Sequence, residues 1–243
     1  MVEATERLLE ICVDDAAGLD AAIRGGADRI ELCSALGIGG LTPSHGLMRH
    51  AAQTSTIPVY PLIRPRAGSF DYSAAEVAMM EDDIIRAREL GLPGVVIGAT
   101  SGDGTLDEAT LRKLIDAAKG LDISLHRAFD MVKDPMRALE TAIDLGISRI
   151  LTSGCAKNVR LGFETLRALA ARAEGRISIM PGGGVTIDLV PDLLALPGIH
   201  EIHASGSSSV EEQASLVEFG FATPQRRQTD QDVVHKLKQA VLV

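Results

Sequence analysis

The sequence predicts a single (β/α)8 barrel over residues 1–243, on three observations. Short β-branched apolar runs alternate with longer Ala/Leu/Arg/Glu segments of helical period from one end of the chain to the other. Strand starts are spaced by about 20 to 40 residues, the size of one strand–loop–helix unit, and eight such units fill the chain. The phrases "RGGADRI", "ELGLPGV", "DLGISRI" and "LPGIHEI" each run a glycine helix cap straight into a strand. The alternative is an open doubly wound sheet. That fold carries a glycine fingerprint after strand 1, where this chain reads "VDDAAGLDAA".

The predicted strands are 8–13, 28–33, 57–63, 94–98, 123–127, 149–152, 177–180 and 201–204. Helical stretches fall between them at 16–25, 74–90, 108–118, 135–145 and 161–173, several ending on glycine. Residues 225–243 begin charged and end in the amphipathic "DVVHKLKQAVLV", a C-terminal helical tail covering the barrel wall. An arm binding a second protomer is the other reading of that tail. No linker or low-complexity segment divides the chain.

Composition narrows the function. Apolar residues are 46% and charged residues 23%, which excludes a disordered or collagen-like chain. No apolar run approaches 18 residues, so no membrane-spanning helix is expected. A formal charge of −9 repels a nucleic-acid backbone, and aromatics at 3% supply no stacking platform for one. The polar stretch 1–7 lacks the pattern of a signal peptide, and three Cys point to reduced thiols in the cytoplasm.

Alternation in the strands fixes which side chains face the barrel interior. A charge pressed onto the apolar helix layer is costly, so "LLEICV" turns Glu10 and Cys12 inward and Leu9 and Ile11 outward. By the same logic "RIELCS" turns Glu31 and Cys33 inward. Arg64 and Arg66 share one parity on strand 3, His126 follows on strand 5, and Glu201, His203 and Ser205 share a face on strand 8. These polar groups collect at the carboxyl ends of strands, where barrel enzymes keep their active sites. Glu10, Glu31, Arg64, His126 and His203 are therefore the candidate catalytic set. A buried ion-pair layer among Glu10, Glu31, Arg64 and Arg66 is the competing reading, and Cys12 and Cys33 also suit simple packing.

Two loops suit an anion. "MPGGGV" after strand 7 exposes backbone N–H groups at Gly182, Gly183 and Gly184, and "ASGSSS" after strand 8 adds hydroxyls from Ser205 onward. Together with Arg66 they form a candidate site for a small phosphorylated or carboxylated metabolite. A tight turn and a solvated loop are the plainer alternatives. No HExxH or CxxC pair occurs, so the strong zinc signatures are missing, and no predicted strand carries a Lys for a Schiff base. Two thiols on adjacent strands suit Cu(I) better than Mg or Ca.

The segments "LEICVD", "GGADRIELCSAL", "GGLTPS", "IRPR", "HRAFDMVKDPMRALE", "RILTSG" and "IMPGGGV" closely resemble the CutC family, the copper homeostasis proteins. The resemblance implies a TIM-like barrel, a cytoplasmic location and homodimers or larger homo-oligomers. It implies copper as the ligand, with Cys12 and Cys33 in the positions proposed for Cu(I). It establishes no enzyme reaction. The chain departs from the family pattern at Ile38 and Ser69, where relatives carry acidic residues, and Cys155 is not a general family feature.

Overall fold

The structure, a computed structural model, describes residues 7–243; all but the last residue of the polar stretch 1–7, expected above to lack a signal-peptide pattern, lies outside the described residues. Eight parallel strands form the barrel: β1 (Leu8–Val13), β2 (Arg29–Leu32), β3 (Val59–Pro61), β4 (Gly94–Ile97), β5 (Asp122–Leu125), β6 (Arg149–Thr152), β7 (Ser178–Pro181) and β8 (Glu201–Ala204). They hydrogen-bond in two runs, β3-β2-β1-β8 and β4-β5-β6-β7. A Leu62–Val96 bridge joins the runs on one side, where the Ile63 N–H donates to the Val96 carbonyl at 2.8 Å. On the other side β7 lies beside β8, and Gly182 comes so close to His203 that a Cβ would stand 3.1 Å from its side chain.

The helices follow from caps that the sequence spells out. α1 (Ala16–Gly25) starts on Asp15, which accepts the Gly18 N–H at 2.6 Å, and stops on Gly26 in the left-handed conformation. α3 (Ala74–Glu89) opens with a Ser73–Glu76 capping box, and α5 (Pro135–Asp144) with Asp134 followed by Pro135. α2 (His45–Thr54), α4 (Glu108–Ala117), α6 (Phe163–Ala173) and the short α7 (Val190–Leu194) complete the ring through strand 7. Leu9, Ile11, Ile30 and Leu32 are fully buried between strands and helices, while Cys12, Cys33, Tyr60, Leu62 and Val96 cluster separately. The inward and outward parity expected for strands 1 and 2 is the parity observed.

Two segments differ from expectation. The strand expected over 57–63 is reduced to Val59–Pro61, since Pro58 and Pro61 remove two ladder donors. The tail is not helical from 225: β10 (Gln225–Thr229) pairs antiparallel with β9 (Ser207–Glu211), with α8 (Ala214–Glu218) between them. Only α9 (Gln231–Leu242) is helix, capped by Asp230, and it covers the wall beside α1 and β1.

The α1–α9 contact is tight at Gly25, where a Cβ would stand 2.5 Å from the Val234 Cβ. Gly25→Ala should force α9 off the wall and cost about 1–3 kcal/mol. Urea unfolding checks this: the midpoint should fall with the slope unchanged.

Candidate functional site

The barrel floor is a chain of buried ion pairs. Arg29, from the first residue of β2, bonds Glu10 of β1 with its Nε and Glu201 of β8 with its Nη2, and the same Nη2 lies 3.2 Å from the Met180 sulfur. Arg149, from the first residue of β6, donates to Glu201 at 3.1 Å, to Asp122 at 2.6 Å and to the Ser124 hydroxyl at 3.0 Å. The Tyr60 hydroxyl donates to Asp122 at 2.7 Å, and its ring lies against both guanidiniums. Burial of charge at this depth holds only because each group is paired. Burial alone would raise Glu10, but Arg29 and His203 bring it down to about 2. The ion-pair layer considered from the sequence therefore exists, with Arg29 and Arg149 as its cations instead of Arg64 and Arg66. Repeated parity could have shown this for Arg29, which stands two residues before Glu31 on the same face.

Above that floor, strand register brings three ligand-type side chains together. Glu10 and His203 are direct partners across β1 and β8, and Cys12 and Glu31 across β1 and β2. One ligand atom each from Cys12, Glu31 and His203 falls within 4.8 Å of the others, all three residues buried. The His203 Nδ1 lies 2.7 Å from a Glu10 oxygen, while its Nε2 faces Glu31 at 3.7 Å, too long for a hydrogen bond. Burial opposes a charged His203, yet Cys12, the Glu10 hydrogen bond and Glu31 raise its pKa well above the usual value. Burial likewise raises the Glu31 carboxyl against the opposing charge of His203.

Cys33 lies beside this trio, against Glu31. Its thiol is fully buried and lies 3.7 Å from Glu31, and burial followed by the Glu31 charge pushes its pKa well up. Gly40 packs over it, close enough that a Cβ would stand 3.3 Å from the sulfur. Cys12 instead borders an open cavity of about 250 Å³, also lined by Glu31, Arg64, His126, Gly183 and His203. The group of three whose ligand atoms meet does not include Cys33, and in the strand register it is Glu31 that stands opposite Cys12.

The far side of this cavity carries donors. The His126 Nδ1 accepts the Ala128 N–H at 3.1 Å, which fixes the neutral tautomer with its proton on Nε2. Burial, and then the neighbouring Arg64 charge, push His126 down to about 3, so the ring is neutral at physiological pH. Its Nε2 is buried without a partner, and so is the Nε of Arg64. The Arg64 Nη atoms are engaged with the carbonyls of Ile38, Gly40 and Gly68. Phe70 lies against both side chains, 5.1 Å from the His126 ring and 4.9 Å from the Arg64 guanidinium carbon.

The remaining expected site residues divide. Gly183 and Gly184 line the cavity with positive φ, and Gly182 packs below them against Leu151 and His203. Ser205 lies at the exposed rim with its hydroxyl 2.9 Å from that of Ser207. Arg66 is not brought to this cavity: it clasps Glu76 and the carbonyls of Ser69 and Asp71 on the outside, because strand 3 has ended and Pro65 redirects the chain. The strand 6 loop wraps Asp130, which accepts from the Thr152 hydroxyl and from the Ser153 and Cys155 N–H groups.

The family model described as the CutC family matches residues 7–208. The chain belongs to the CutC family. The CutC family protein of Sinorhizobium medicae (strain WSM419) is 55% identical over 224 residues, covering 92% of this chain and 91% of its own. That of Caulobacter vibrioides (strain NA1000 / CB15N) is 48% identical over 237 residues, 96% of each chain. A solved structure from Streptococcus agalactiae, described as the copper homeostasis protein CutC, is 32% identical with a TM-score of 0.78, covering 82% of this chain and 98% of its own. A solved KGPDC from Streptococcus mutans reaches a TM-score of 0.62 at 13% identity over 98% of each chain, a likeness of the barrel fold alone. The (β/α)8 barrel and the copper homeostasis family expected from the sequence thus hold for this CutC chain.

Two outcomes follow from the geometry. Arg29→Met should leave Glu10 and Glu201 buried without their cation and cost about 3–5 kcal/mol in denaturant unfolding, part of which Glu10→Gln in the same chain restores. NMR of the His126 ring should show no titration between pH 4 and 9. Because its folded pKa is depressed below the unfolded 6.5, its contribution to stability is complete above pH 6.5 and declines as pH falls towards 3.

Proposed function

We propose that this CutC chain holds a thiophilic metal ion, Cu(I) as its family name suggests, at the barrel mouth between Cys12, His203 and Glu31. The observation that carries the reading is the convergence of three buried ligand-type side chains: one ligand atom each from Cys12, Glu31 and His203 lies within 4.8 Å of the others. A cation at that meeting point would be within reach of all three donors.

The donor set fits such an ion. A thiolate and an imidazole suit copper, and the carboxylate adds a charged oxygen. Glu10, bonded to the His203 Nδ1, leaves Nε2 as the ligand atom, the carboxylate–histidine arrangement that orients metal-binding imidazoles. Bound copper would supply a soft, exchangeable cation facing the cavity; the residues orient it, keep it from bulk water and fix its charge environment. A reducing compartment, the cytoplasm, follows from this reading, since Cys12 must stay a free thiol, and the described cysteines are free.

Cu(I) competition against a chelator tests the proposal. Cys12→Ser and His203→Ala should abolish stoichiometric binding, Glu10→Gln should weaken it about 10- to 100-fold, and Cys33→Ser should leave it near wild type. Equal losses from Cys12→Ser and Cys33→Ser would return the site to a dithiolate and overturn the trio.

A further inference from the structure

The metal reading uses side chains of β1, β2 and β8 and leaves another stretch of the same cavity's rim without a role, where Arg127, Gly183, Gly184 and Ser205 line it. The Arg127 Nε donates to Asp130 at 2.6 Å and its Nη2 to the Ser153 hydroxyl at 2.8 Å, while Nη1 has no acceptor among the described residues. That free end lies over the loop after β7, since a Cβ on Gly183 would stand 3.0 Å from Nη1. A glycine lines a cavity only with its backbone, and the Gly183 carbonyl is already taken by the Val159 N–H at 3.0 Å. The Gly183 and Gly184 N–H groups have no acceptor among the described residues, whereas that of Gly182 donates to the Thr152 carbonyl at 2.9 Å. We propose that this rim binds the phosphate group of a small molecule, held by the Arg127 Nη1, the Gly183 and Gly184 N–H groups and the Ser205 hydroxyl.

The donors select this ligand class. Asp130 fixes the guanidinium in one orientation, and is itself held by the Thr152 hydroxyl and the Ser153 and Cys155 N–H groups. Successive glycines at φ 99° and 76° leave their peptides open to an anion at close range. The Arg227 Nε donates to the Ser207 hydroxyl, so Ser207 can turn its own proton to Ser205 and free the Ser205 O–H for a ligand. Donors from three separate loops suit a tetrahedral oxyanion, whose outward oxygens accept from several directions, better than a planar carboxylate with two. Barrels commonly hold phosphates with the loops after strands 7 and 8; here Arg127, from the loop after β5, supplies the cation that Arg66 was expected to supply. The cavity of about 250 Å³ shares Leu36 and Ser205 with a wider one of about 760 Å³, walled by Asp14, Asp15, Arg226 and Arg227, so the body of the molecule would leave the phosphate into a polar vestibule.

Inorganic phosphate is the probe, titrated at fixed pH and ionic strength into the chelator-treated, isotope-labelled full chain while the Gly183 and Gly184 amide resonances are followed by NMR. The expected result is a saturable shift of both, with acetate at the same concentrations leaving them in place. Arg127→Lys keeps the charge but loses the fixed guanidinium fork, and should weaken binding about tenfold. Ser205→Ala, at an exposed position, should weaken it about three- to tenfold and serves as the test where Arg127→Lys disturbs the fold. The shift should persist in Cys12→Ser, so failure of the metal reading would leave this one standing. Absence of a saturable wild-type shift up to about 50 mM, well above a millimolar Kd, would overturn the proposal. It would be overturned equally by acetate moving the resonances as phosphate does, by wild-type affinity in Ser205→Ala and Arg127→Lys alike, or by loss of the shift in Cys12→Ser.

Discussion

Arg29 stands between Glu10 and Glu201 inside the barrel, and the site above depends on that pairing. Without the guanidinium, Glu10 would be a buried carboxylate with the like charge of Glu31 nearby. With it, Glu10 stays ionised and anchors the His203 Nδ1, and the opposite ring nitrogen turns to Glu31. A floor of ion pairs thereby sets the direction of one imidazole, and that imidazole completes the only group of metal-type ligands found among the described residues. Such a floor is an unfavourable way to gain stability compared with an apolar core. Its value lies in holding orientation.

The cavity over this floor has two chemically different walls. One gathers thiol, carboxylate and imidazole. The other carries the neutral His126 and the cationic Arg64. The two histidines are driven apart by their neighbours: His203 rises among acidic groups, and His126 falls through burial beside a cation.

Much of this was legible in the strands. A charge in an otherwise apolar strand has one tolerable direction, so "LLEICV" and "RIELCS" announced Glu10, Cys12 and Glu31 as inward residues. The boundaries of β1, β6, β8 and α1 also follow directly from the sequence. Parity gives direction but neither depth nor cover. It therefore could not show that Gly40 closes over Cys33 while Cys12 opens on the cavity, nor that Glu10 lies beneath the site as an anchor. It also fails past a strand end, which is why Arg66 shares a parity with Arg64 in sequence and lies elsewhere in space. Arg29 and Arg149 were hidden by their place in the cap phrases "ADRI" and "ISRI", where they read as strand starts. β10, "QRRQT", carries no apolar signal because its pairing with β9 rests on backbone hydrogen bonds in an exposed hairpin.

The central claim is that the ligand group is mixed, one sulfur with nitrogen and oxygen. X-ray absorption spectroscopy of the Cu(I)-loaded chain measures that directly. The account predicts a first shell of a single sulfur together with lighter N/O scatterers. A shell of two sulfurs and no lighter neighbour would contradict it, because the ligand group would then be Cys12 with Cys33 and without Glu31 and His203.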